Sequence, residues 1–115
     1  MHRIHYAGTS ILTGSAIAIA LVEYAQALAE VGSSATVDVP TLHDDGTPGR
    51  SDILVGPASQ LMADDEDSTY DEVADEQLVA HMNAEAQHLR QHGSPSPSIA
   101  IGRPDEPADW TDFDL

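Results

Sequence analysis

The chain has 115 residues, of which 41% are hydrophobic and only 4% aromatic. Its 20 acidic residues are opposed by four arginines and no lysine, which gives a formal net charge of −16. This length is that of one ordinary domain. The acidity disfavours nucleic acid and anionic lipid as partners and favours basic proteins or cations. Because the sequence contains no cysteine, disulfides, thiolate zinc sites and cysteine nucleophiles are excluded.

The first part of the chain predicts a strand followed by a long helix. Apolar and polar side chains alternate over residues 2–7, and Gly8-Thr9-Ser10 is expected to end that strand. The helix is predicted from Thr13 or Ser15 to Val31, with Gly32 in the usual position after a helix end. Its apolar residues recur at helical spacing and form one stripe, which Ile19 and Val22 widen: Ile17, Leu21, Tyr24, Leu28 and Val31.

A β-hairpin is predicted next, with its turn around Gly46. For Ile53 and Val55 to lie opposite Val39 and Val37 on one face, the connection must contain three or five residues. Residues 59–63 could resume extended pairing after Gly56-Pro57, so a fourth strand is left open.

An acidic run of eight Asp and Glu residues, without a base, extends from Asp64 to Glu76. Within it, Thr69 and Glu72 fit a capping box that would begin a second helix, which Gly93 would end. The predicted fold is α+β, a small sheet of three to four strands in β-α-β-β-(β)-α order with two helices on one face. Residues 1–93 would form a single domain, and 94–115 an acidic, Pro/Ser-rich tail that is disordered or loosely docked.

The second predicted helix carries a candidate metal site. Its members recur at i, i+4, i+7 and i+11 on one helix face: His81, Glu85, His88 and His92. Imidazole and carboxylate groups at this spacing can bind a divalent cation such as Zn or Fe. The same pattern also fits an exposed helix face whose histidines complement the helix dipole near its C-terminal end.

The tail carries a candidate partner-binding motif. Trp110, Phe113 and Leu115 alternate with aspartates, a pattern typical of segments that fold on a partner. Two alternatives stay open, a disordered end and a tail that docks on its own sheet through Ile99 and Ile101.

Three short stretches resemble a group of small uncharacterised proteins of high-GC Gram-positive bacteria. They are Ile4-His5-Tyr6-Ala7-Gly8, residues 12–18 and residues 52–60, so the resemblance covers roughly residues 3–63. It implies a cytoplasmic bacterial protein and a strand that continues through Gln60, and it transfers no activity or site.

No catalytic or nucleotide-binding signature is present in the sequence. We therefore expect a non-catalytic module for protein–protein interaction without a cofactor. It would be cytoplasmic and homodimeric, with a basic protein partner and without nucleic acid or membrane binding. The alternative is a metal-binding protein or metalloenzyme that uses the His/Glu face of the second helix.

Overall fold

The computed structural model describes residues 1–57 and 60–94. These residues form five strands and two helices: β1 His2–Tyr6, β2 Thr9–Thr13, α1 Ser15–Glu30, β3 Ala35–Leu42, β4 Pro48–Val55, β5 Leu61–Asp65 and α2 Glu76–His92. The α+β class is therefore confirmed. The sheet is antiparallel and has five strands instead of the predicted three to four.

The strand that the sequence prediction missed is β2. Tyr6 pairs with Thr9, so the β1–β2 turn consists only of Ala7 and Gly8, with φ of 51° and 81°. Two positive φ angles are typical of the type I′ turn, which strongly favours Asn-Gly or Gly-Gly. Alanine seldom adopts this conformation, and the hairpin therefore lacks its usual sequence signal.

The sheet is strongly curved. Its strand order is β4-β3-β2-β1-β5, and β2 pairs with β3 through one residue pair, Leu12 and Leu42. Although β4 and β5 are the two edges, only residues 56–60 connect them. The Tyr6 hydroxyl of β1 donates a hydrogen bond to the Leu54 carbonyl of β4 at 2.7 Å. The two edges therefore approach each other at one end of the sheet.

The β3–β4 hairpin confirms the predicted odd-numbered connection, because residues 43–47 join the two strands. Val37, Val39 and Ile53 are buried on the core face, as the alternation predicts. The pairing differs from the expected one by two residues, since Val37 lies opposite Ile53. A shift of two residues keeps every side chain on its face, so the hydrophobic pattern alone cannot distinguish these registers.

One hydrophobic core joins one face of the sheet to both helices. Its fully buried large side chains include Ile4 and Val55 from the sheet, Leu21 and Leu28 from α1, and Met82 from α2.

The helix predicted from Thr13 or Ser15 to Val31 is confirmed as α1, which begins at Ser15, whereas Thr13 belongs to β2. Its apolar stripe is buried in this core except at three positions. Val22 and Val31 are half-buried, and Ile19 is 57% exposed.

The two helices run side by side in the same direction. The Arg90 guanidinium of α2 contacts the Glu23 carboxylate of α1 at 2.9 Å, while Ala16 and Val79 line one groove near the beginnings of the helices. Among the described residues, no helix is long and apolar enough to cross a membrane.

The predicted start of the second helix is wrong. The α2 helix begins at Glu76, and the Asp75 carboxylate caps it by accepting a hydrogen bond from the Leu78 amide at 3.0 Å. Thr69 and Glu72 therefore form no capping box. The carboxylate of Glu72 instead accepts from the Ser15 amide at 2.6 Å, at the beginning of the other helix.

Candidate functional site

The four predicted metal ligands on α2 do not share one environment. His81 and His92 are exposed and His88 is half-buried, whereas Glu85 is only 7% exposed. The rings of His88 and His92 are in contact, with centroids 4.4 Å apart and planes tilted by 34°. In residues 1–57 and 60–94, no group of three or more His, Asp or Glu side chains is arranged to hold a metal ion.

Glu85 instead faces the interface between the helices. One of its carboxylate oxygens, Oε1, is buried and has no hydrogen-bond partner within residues 1–57 and 60–94. Burial raises the pKa of the neighbouring Tyr24 phenol, and the negative charge of Glu85 raises it further. A buried carboxylate with an unpaired oxygen is unfavourable for folding, because water would solvate that oxygen in the unfolded chain.

We expect Glu85→Met to raise the free energy of unfolding by about 1–2 kcal/mol, since it keeps the side-chain length and removes the unpaired oxygen. Urea denaturation measures this change. Glu85→Gln is the matched control: it removes the same charge but leaves polar atoms in the interface, so its gain should be smaller. Equal gains for both variants would assign the effect to net charge alone.

A second cluster surrounds the beginning of α1, where the structure brings together Ser15, His2 and Glu72. The His2 ring nitrogen Nδ1 lies 2.7 Å from the Ser15 hydroxyl. Glu72 contacts the backbone amide of Ser15 and the Met1 amino group, at 2.6 and 3.1 Å. These residue types also occur in hydrolytic triads, but here the carboxylate contacts no histidine and occupies the helix N-terminus. The negative charge there also opposes an oxyanion, so the arrangement does not have the geometry of such a triad.

We expect Glu72→Gln to lower the free energy of unfolding at pH 7 by about 1 kcal/mol. This is the usual contribution of a side chain that caps a helix, and solvent screening of the exposed charge keeps it from being larger. The hydrogen bond from the Ser15 amide, followed by that from the Met1 amino group, lowers the pKa of Glu72 below its ordinary 4.5. The carboxylate therefore stabilises the fold fully above that value, and the contribution is lost as the pH falls through the lower folded pKa.

Urea denaturation between pH 7 and pH 3 checks this expectation. The difference between the wild type and Glu72→Gln should shrink as the pH falls. Glu30→Gln, which changes the same charge at an exposed position, controls for net charge. A difference that does not vary with pH would contradict a role for the Glu72 charge.

The segment Asp64–Glu76, which we call the acidic ridge, is fixed to the body of the protein at several points. Arg3 binds the Glu66 carboxylate through two nitrogens at 2.8 and 2.9 Å and thereby lowers the pKa of that carboxyl. The Tyr70 ring packs against Gly46 in the β3–β4 turn. Glu72 holds the segment to α1, as described above, so the ridge has a defined backbone path.

Ion pairing leaves much of the ridge charge unopposed. Each arginine in the described part of the chain contacts a carboxylate: Arg3 with Glu66, Arg50 with Asp38 and Arg90 with Glu23. Four exposed acids of the ridge have no ion pair or side-chain hydrogen bond within residues 1–57 and 60–94: Asp65, Asp67, Asp71 and Glu76. The ridge therefore presents a fixed array of negative charge.

Two apolar depressions accompany the acidic surface. A cavity of about 520 Å³ at one end of the sheet is lined partly by Leu54 and Met62, which are 54% and 56% exposed. A groove of about 410 Å³ separates the beginnings of α1 and α2. Sequence reasoning identified neither, because both are formed by segments distant in the chain. The predicted partner-binding residues Trp110, Phe113 and Leu115 lie outside the described residues.

The fold and these surfaces define an α+β protein with a curved antiparallel sheet, two helices that pack against each other and an acidic ridge. No known protein family matches the chain. Searches of curated proteins and of solved structures likewise find no match.

Proposed function

We propose that the protein is a non-catalytic interaction module that presents its acidic ridge to a basic protein partner. The main support is the fixed array of ridge acids that have no ion pair within the described part of the chain, where the nearby Arg3 is already bound by Glu66. A rigid array of negative charge favours association with a positively charged surface and repels negatively charged partners.

A cationic peptide of alternating lysine and glycine tests this proposal by calorimetry at low and high salt. We expect salt-sensitive binding that the triple variant Asp65→Asn, Asp67→Asn, Asp71→Asn weakens by about tenfold or more. The control neutralises three acids outside the ridge: Glu30→Gln, Asp52→Asn and Asp105→Asn. Equal losses would indicate a response to net charge without a defined surface, and absence of binding would reject the proposal.

We also propose that the protein is a cytoplasmic homodimer. Its core contains few aromatic side chains, and a dimer contact over the sheet-end cavity would bury the exposed Met62. Sedimentation of the wild type and Met62→Ser tests this assembly. We expect the variant to dissociate at concentrations where the wild type is dimeric, while a monomeric wild type would rule the dimer out.

The metal-binding alternative is tested by the same purified protein. Native mass spectrometry before and after chelation, and after addition of zinc or iron, measures any bound metal. A stoichiometric metal that is lost in His88→Ala would replace the interaction module as the main function. Protein that stays metal-free in added zinc and iron would remove the alternative.

A further inference from the structure

The groove between the beginnings of α1 and α2, which we call the interhelical groove, has an apolar lining. Ala16 comes from α1, Val73 from the acidic ridge, and Val79 and Ala80 from α2. Its volume of about 410 Å³ is comparable to that of clefts that bury small-molecule ligands. The groove therefore has room for one or two large apolar side chains.

An exposed isoleucine extends this apolar surface. Ile19 lies one helical turn after Ala16 and one turn before Glu23, the residue that contacts α2. By helical spacing it therefore borders the solvent side of the groove. A lone exposed apolar residue needs no explanation, but one that continues an apolar groove enlarges a docking surface.

Carboxylates surround the same groove. Glu72, Asp75 and Glu76 contribute to its lining. Glu72 is paired with the Met1 amino group and Asp75 caps α2, whereas Glu76 has no ion pair among the described residues, whose arginines are all engaged with other carboxylates. A second copy of the chain, with its net charge of −16, would bring like charges together if it docked here. Anionic lipid is disfavoured for the same reason. The negative charge around the groove therefore favours a cationic partner, and the apolar lining favours one that also carries apolar side chains.

We propose that the interhelical groove binds a cationic amphipathic segment of the partner, with its apolar side chains in the groove and its Lys or Arg residues against the rim. This inference rests on the proposed interaction with a basic partner and adds the place and the form of the contact. An amphipathic helix in an apolar groove is a common mode of peptide recognition.

Two labelled peptides of identical leucine and lysine composition test the groove. One has its leucines on a single helical face, and the other has a scrambled order without an apolar face. We expect the amphipathic peptide to bind at least about tenfold more tightly than the scrambled one. In ¹H–¹⁵N spectra, the amphipathic peptide should perturb the amides of Ala16, Ile19, Val79 and Asn83 most strongly.

Two variants with the same charge change distinguish binding in the groove from a general response to net charge. Ala80→Arg places a large cation in the groove, whereas Ala29→Arg makes the same charge change at an exposed position near the other end of α1. We expect Ala80→Arg to reduce binding of the amphipathic peptide by about tenfold or more, and Ala29→Arg to change it by less than about threefold. Thermal unfolding of each variant verifies that it is folded.

The remaining outcomes distinguish the two proposals. Equal binding of both peptides, or equal effects of the two arginine variants, would overturn the groove and leave the acidic interaction module in place. Absence of binding by either peptide would overturn both. Self-association that Ala80→Arg abolishes and Ala29→Arg does not would assign the groove to a second copy and likewise overturn the inference.

Discussion

Gly14→Ala is expected to lower the free energy of unfolding by about 3 kcal/mol, the upper part of the range for overpacking a buried position. Gly14 precedes α1 and has a φ of −68°, which alanine adopts without strain. A Cβ atom there would overlap the backbone carbonyl of Val73. Because the obstacle is backbone, relief requires the acidic ridge to move away from α1.

Gly8→Ala provides the scale for this experiment. Gly8 has a φ of 81°, and a Cβ atom added to it would have no described residue within 4 Å apart from its neighbours in the chain. Gly8→Ala should therefore lower the free energy of unfolding only by the cost of placing alanine at a positive φ, about 1 kcal/mol. Urea denaturation compares the two variants. A smaller loss for Gly14→Ala than for Gly8→Ala would contradict the close approach of the ridge to α1.

Gly14→Ala is also expected to affect the proposed binding surface. Val73 belongs to both the contact with Gly14 and the lining of the interhelical groove. Displacement of the ridge by Gly14→Ala should therefore weaken binding of the amphipathic peptide even where the protein is still folded. Amide shifts along residues 71–75 would report the displacement directly.

The elements that the sequence predicted are those specified by short-range patterns. Helical spacing of apolar residues predicted α1, and alternation predicted both strands of the β3–β4 hairpin with their core faces. The β2 strand was missed because Ala7 adopts a positive φ that favours other residues. The start of α2 was wrong because Glu72 satisfied a capping pattern locally yet caps α1, 57 residues earlier in the chain.

The candidate site was less predictable than the fold for a related reason. Spacing on α2 predicted that Glu85 shares a helix face with His81 and His88. It could not predict that Glu85 is buried while His81 is exposed, because burial depends on packing against α1. The interhelical groove combines residues from three distant segments. Only the acidity of the ridge was apparent from the sequence, since charge requires no knowledge of tertiary contacts.

Leu21→Ala is the second change with a large expected effect, a loss of about 3 kcal/mol or more in the free energy of unfolding. Leu21 is fully buried in the core that joins the sheet to both helices. With 4% aromatic residues in the whole chain, this core depends on aliphatic side chains. Truncation of Leu21 removes apolar burial and leaves a cavity that its neighbours fill only in part.

Ile19→Ala is the matched control, because it lies on the same helix and is 57% exposed. We expect Ile19→Ala to change the free energy of unfolding by no more than about 0.5 kcal/mol, as an ordinary surface substitution does. Urea denaturation should be performed at several protein concentrations. If Ile19→Ala costs as much as Leu21→Ala, and more at high concentration, a second copy covers Ile19. If its cost is small and independent of concentration, Ile19 stays accessible beside the groove, as binding of a cationic partner segment requires.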